Sequence, residues 1–144
     1  MLKYETVYPG TLELLKKLMA HPALENFYLV GGTALSLHLG HRISVDLDLF
    51  TNSEFDTQDL VQQLENEISI EKVIGEAKNT LNLVIDNVEV DILRHNYPLI
   101  EPVSIIDDIR LLSDKDIAAM KLSAIARRGS KKDFYDVYFL LQKY

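Results

Sequence analysis

The chain has 144 residues, 47% of them hydrophobic and 26% charged. That excludes a disordered or collagen-like polymer and leaves room for one domain with a substantial core. It contains no cysteine, which rules out disulfides, thiol nucleophiles and thiolate metal sites. The net charge of −7 argues against coating nucleic acid by charge alone. No apolar run reaches the roughly 18–20 residues of a membrane span, and MLKYETVYPG at the N-terminus lacks a signal-peptide stretch. The expected location is the cytoplasm, with no membrane partner. Charge is unevenly spread: residues 115–144 hold seven Lys/Arg and three Asp, a net of +4, so the other 114 residues carry −11. Either an acidic metal site faces an anionic substrate beside a basic C-terminal part, or two exposed helices are simply basic.

In chain order, Leu12, Leu15, Leu18 and Met19 recur at helical spacing over Thr11–Ala20, and His21-Pro22 ends that helix. Phe27–Val30 reads as a buried strand stopped by Gly31-Gly32. Thr33–Leu39 is a short helix closed by Gly40. Ile43–Phe50 alternates, which predicts a strand burying Ile43, Val45, Leu47 and Leu49 and turning Ser44, Asp46, Asp48 and Phe50 the other way. Asp56–Ile68 is a polar-faced helix, and residues 70–74 and 81–85 are strands. Asp86-Asn87 turns the chain into a hairpin strand, Val88–Leu93. Residues 97–112, with two prolines, carry no clear period. Ser113 with Asp116 opens a helix to Arg127, Gly129 breaks it, and Ser130 with Asp133 opens the last. The pattern is α+β: a mixed sheet with helices packed on it, in one domain spanning 1–144. Its core covers about 10–112 and a C-terminal helix pair about 113–144.

The chemistry lies in the carboxylates. Period-two geometry places Asp46 and Asp48 on one face, about 6.6 Å apart along the strand. Like charges so placed cost stability unless a cation lies between them, and hard oxygens suit Mg²⁺ completed by substrate phosphate. In the strand 88–93, Val88, Val90 and Ile92 share the core face, so Asp91 turns toward the same side as Asp46 and Asp48. Three convergent carboxylates are what a two-metal phosphoryl or nucleotidyl transfer site requires. Gly31 and Gly32 permit close backbone approach, and the helix that follows offers free N–H groups to an anion. Singly, each feature is ordinary: Asp-x-Asp is often solvent-facing and Gly-Gly is often a turn. Their order along the chain is the specific signal.

The segment LVGGTALSLHLGHRISVDLDLF resembles the signature of the nucleotidyltransferase superfamily, in its AbiEii/AbiGii toxin-like branch. The later segment MKLSAIARRGSKKDFYDVYFLL is similar to that branch's second block. The resemblance spans about residues 27–142 and implies the nucleotidyltransferase (polymerase-beta-like) fold. By that resemblance Gly31, Gly32 and Thr33 would hold the phosphates of an NTP, and Asp46 and Asp48 would bind one or two Mg²⁺. Asp91 would be the third carboxylate, ligating metal and preparing the acceptor hydroxyl. Lys121 and Asp133 would be the additional active-site lysine and aspartate. Ser44 would stand at the metal site, and His41-Arg42 near phosphate.

The residues also admit plainer roles. Lys121 borders an apolar helix face along which its stem can lie, and Asp133 serves as a helix cap. Asp136 reads as structural. The four histidines lack zinc-ligand spacing, and Phe134, Tyr135, Tyr138 and Phe139 read as core or interface residues. The resemblance implies transfer of a nucleotide from NTP to RNA (a tRNA among the candidates) or to protein, with pyrophosphate leaving, by a toxin restrained by a separate antitoxin protein. Two alternatives stand beside it. One is a binding module that keeps the fold without catalysis, and the other is an antibiotic nucleotidyltransferase. Many members of the branch continue for another helical segment beyond the last helix, so acceptor recognition is expected to be reduced, different or cut off.

Overall fold

The computed structural model describes residues 2–127 and 130–143. The expected break at Gly129 lies outside the described residues, as does Arg128. Helix α1 (Pro9–Ala20) starts on a proline, whose missing N–H costs nothing there, and gives way at His21-Pro22. Strand β1 (Tyr28–Val30) runs directly into α2 (Gly31–Leu39). Gly40 closes α2 in the left-handed region at φ 69°, its N–H bonded to the Ser36 carbonyl. Then follow β2 (Leu47–Thr51), α3 (Thr57–Glu65), β3 (Lys72–Ala77), β4 (Thr80–Ile85) and β5 (Val88–Arg94). Two short strands, β6 (Ser104–Ile106) and β7 (Ile109–Leu111), precede α4 (Asp114–Arg127) and α5 (Lys131–Lys143). The chain is thus an α+β fold on one mixed sheet of seven strands, in the order β3-β4-β5-β2-β1-β7-β6. No described helix is long and apolar enough to cross a membrane.

The core lies against the central strands. Leu29, Leu47, Leu49, Leu81, Leu83, Val90, Ile92 and Leu111 are wholly enclosed, together with Leu14, Leu15 and Leu18 from α1 and Leu35 and Leu37 from α2. β2 runs antiparallel to β1 and parallel to β5. Helix α2 packs on β1 and β2 and also touches α4 and α5, so it joins the sheet to the C-terminal pair. Both expected caps form. The Ser113 and Ser130 hydroxyls accept from the N–H groups of Asp116 and Asp133, whose carboxylates accept in return from the hydroxyls.

Three expectations need correction. The strand expected over 43–50 begins only at Leu47, because no neighbouring strand flanks the earlier residues. Their one ladder contact is an isolated bridge between Ser44 and Val7. Outside the pleat the alternation inverts: Ser44 is buried, while Ile43 and Val45 are 56% and 41% exposed. The featureless stretch before Ser113 contains the β6–β7 hairpin, turned on Asp107-Asp108, both with positive φ. On α5, Phe134 and Tyr138 are exposed, not core, because the helix buries Asp133, Asp136 and Leu140 instead.

Candidate active site

The register of the sheet assembles the acids. Asp48 stands directly beside Asp91 across the parallel β2–β5 pair, and Asp91 stands beside Asn82 of β4. Residues opposed in this way share a face, with strands about 4.8 Å apart. The Asn82 amide donates to Asp91 Oδ1 at 2.7 Å. Asn82 has room because its cross-strand partner is Gly75, where a Cβ would lie 2.5 Å from the amide oxygen. Asp46 joins from the extended segment before β2. Its carbonyl accepts a bond from the Thr33 hydroxyl, which is also 2.7 Å from the Ser44 hydroxyl.

Gly31, Gly32, Arg42, Ser44, Asp46, Asp48, Asp91, Lys121 and Asp133 all line one cleft of about 300 Å³, with Ser130 and Lys132 beside them. Thr33 does not. It is fully buried behind the wall and shapes the Ser44–Asp46 segment through its hydroxyl.

The two glycines make room for side chains. Gly31 has φ +71°, and a Cβ there would fall 2.4 Å from Asp48 Oδ2. A Cβ on Gly32 would fall 2.3 Å from Arg42 Nη2. Gly31→Ala is therefore expected to cost about 1–2 kcal/mol through backbone strain alone. It should also displace the Asp48 carboxylate, lowering both the melting temperature and the affinity for Mg²⁺–ATP. Gly10→Ala, in helix α1 where a Cβ meets nothing within 4 Å, is the control that should lower neither, alanine being the better helix former.

A hub of charge, drawn from both of the quoted sequence blocks, lies behind the cleft. Asp136, fully buried, accepts from His41 Nε2 at 2.5 Å and Arg42 Nε at 2.7 Å on Oδ1. Its Oδ2 accepts from Arg42 Nη2 at 3.0 Å and pairs with Lys121 Nζ at 2.8 Å. Lys121 also donates to Asp133 Oδ1 at 3.0 Å. Burial pushes the Asp136 carboxyl up, but the bonds from His41, Arg42 and Lys121 outweigh it and hold it well below the usual carboxylate range. The available signal for Asp136 is its i, i+3 spacing from Asp133, which sets both on one face of α5. Asn82 has none, because only the strand register brings it to Asp91.

Among the described residues no group of three or more His, Asp or Glu side chains is placed to hold a metal ion, so the expected trio of Asp46, Asp48 and Asp91 does not form a ready-made metal site. The donor set still fits a hard divalent cation that takes one or two carboxylates and completes its shell with phosphate oxygens and water. The space kept open at Gly31 for Asp48 is consistent with that use.

The family model described as "Nucleotidyl transferase AbiEii toxin, Type IV TA system" matches residues 13–144. The chain belongs to the AbiEii nucleotidyl transferase family. An uncharacterized protein of Aquifex aeolicus (strain VF5) is 40% identical over 136 residues, which cover 92% of this chain and 66% of that protein. Among solved structures, JHP933 from Helicobacter pylori superposes with a TM-score of 0.67 at 19% identity, over 100% of this chain and 69% of that one. ANT(2")-Ia, solved with adenylyl-2"-tobramycin, gives 0.65 at 14% identity over 93% and 89%. The Megavirus polyadenylate synthase gives 0.63 at 17% identity over 98% and 34%. At such identities these likenesses establish the fold.

Proposed function

We propose that this chain, as a single domain, is a Mg²⁺-dependent nucleotidyltransferase that moves a nucleotide from NTP to an RNA acceptor. Within a toxin–antitoxin pair, a partner protein would restrain it. The observation that carries the reading is the shared cleft, in which Asp46, Asp48 and Asp91 face Arg42, Lys121 and Lys132. Asp46 and Asp48 would hold the metal, which neutralises charge on the transferring phosphorus and leaving group. Arg42 and Lys132 meet the triphosphate, with Arg42 braced by Asp136. Asp91, fixed by Asn82, takes the proton of the acceptor hydroxyl. The hydroxyl oxygen then bonds to the α-phosphorus while the bond to the α–β bridging oxygen breaks, and pyrophosphate leaves. A non-catalytic binding module would have no use for three carboxylates lining one cleft, since like charges there repel without a cation.

The test is incubation with each α-labelled NTP in turn, with and without Mg²⁺, in the presence of cellular RNA or of protein. Mg²⁺-dependent label on RNA is expected. Label on protein alone would change the acceptor class, and no label with any NTP would defeat the reading.

A further inference from the structure

A second cleft of about 730 Å³ opens on the other side of Asp48 and shares Gly31, Asp48 and Lys121 with the first. Its chemistry is different. Phe50 and His95 stack with ring centroids 5.5 Å apart and 20° between planes, and Tyr97 tilts against His95 at 5.0 Å. Tyr97 is 68% exposed, so its ring is open to a flat ligand. This wall is fastened in place: the buried Asp116 carboxylate accepts from the N–H groups of Ile100 at 2.7 Å and Glu101 at 3.1 Å. Those bonds pin the segment after β5 to α4. The His95 N–H, in turn, extends the β2 ladder to the Thr51 carbonyl at 2.8 Å. Arg94 and Arg127 stand on the same lining.

The reaction geometry gives this cleft a role. In an in-line displacement the nucleophile arrives opposite the leaving group. The cations that suit a leaving pyrophosphate, Arg42 and Lys132, lie in the first cleft. An acceptor hydroxyl arriving opposite that side reaches Asp48, which borders both clefts, from the second, with Asp91 beside Asp48 on the neighbouring strand. Resting on the nucleotidyltransferase reading above, we propose that the second cleft seats the 3′-terminal nucleoside of the RNA acceptor. Its base stacks on Tyr97 and His95, and its upstream phosphates meet Arg94 and Arg127. Aromatic stacking is tolerant of base identity, and phosphate contacts add affinity without sequence preference.

Fluorescence anisotropy of a short 5′-labelled oligoribonucleotide with a free 3′-hydroxyl, measured without NTP, tests this directly. Calorimetric titration of Mg²⁺–ATP runs beside it. Tyr97→Ala is expected to weaken RNA binding about tenfold, Tyr97→Phe to restore it, and neither to change ATP affinity. The same strand ending in a 3′-phosphate should bind more weakly than the hydroxyl form, since a dianion would be pressed against Asp48 and Asp91. RNA affinity unchanged in Tyr97→Ala, or equal binding of the two strand ends, overturns the proposal. A loss of ATP affinity instead would assign the aromatic wall to the base of the NTP and overturn it as well. So would label transferred to polypeptide with no RNA bound, though nucleotidyl transfer itself would stand. Failure of that broader reading shows separately, as wild-type protein that transfers label from none of the four NTPs.

Discussion

Asp48→Asn should leave a folded protein and reduce nucleotidyl transfer by roughly 10³-fold or more. The side chain lies at the junction of the two clefts, fitted against the bare Cα of Gly31 and beside Asp91. Replacing one carboxylate oxygen by an amide removes the charge a divalent cation needs and leaves the shape nearly unchanged. The flanking Leu47 and Leu49 carry the burial of β2, so the variant is expected to stay folded. Transfer of label from NTP, paired with thermal unfolding in EDTA, separates the two effects. Full activity in Asp48→Asn would end the nucleotidyltransferase reading.

Asp136→Asn is the variant expected to cost most in stability, about 3–5 kcal/mol. It leaves Lys121, enclosed at 7% exposure, and the Arg42 guanidinium without their shared counter-charge. Urea unfolding should show it, and the pH dependence identifies the cause. The Asp136 carboxyl is held well below its ordinary value of 3.8. Its contribution is therefore complete above that value and is lost as the pH falls through the lower folded one. Wild-type protein should lose this stability only below about pH 4. In Asp136→Asn that part of the acid limb should be missing, while Asp116 keeps its own share: burial raises its carboxyl, but bonds from Ile100, Ser113 and Glu101 hold it low. Adding Lys121→Met to an Asp136→Leu change should not recover the loss, because the buried Asp133 carboxylate then loses Lys121 while Arg42 still lacks its counter-charge. An acid limb identical in wild type and variant would mean that Asp136 is not the hub.

The parts of the molecule that follow a simple period are legible in the sequence. The alternation of Val88, Val90 and Ile92 places Asp91, and the helix caps at Ser113 and Ser130 form as their spacing indicates. Asp46 is harder, because Ile43 and Val45 continue the alternation of β2 in sequence while the sheet offers them no neighbour. The β6–β7 hairpin is hidden for a different reason. Three residues per strand are too few to show a period, and its turn uses two aspartates where Asn-Gly would be the usual sign. Helix α5 misleads most: Phe134 and Tyr138 face outward and its acidic pair is buried. The helix breaks the patterning rule beside the candidate site, where Asp133 and Asp136 pair with Lys121, and Asp136 also with His41 and Arg42.

The order of the strands also sets when the site can exist. β1 is flanked by β2 on one side and, through Leu29 and Leu111, by β7 on the other. The Arg110 guanidinium locks that late arrival by donating to the carbonyls of Met19, Leu24 and Phe27. Contacts between such distant stretches form slowly, since the intervening chain must first close into a loop. During synthesis the glycine turn and all three carboxylates leave the ribosome well before α5. His41 and Arg42 then wait for a partner that is made 94 residues after Arg42. A nascent chain thus exposes its acidic residues long before Arg42 and Lys121 gain Asp136. On the proposed function, catalytic competence would wait until translation has delivered α5.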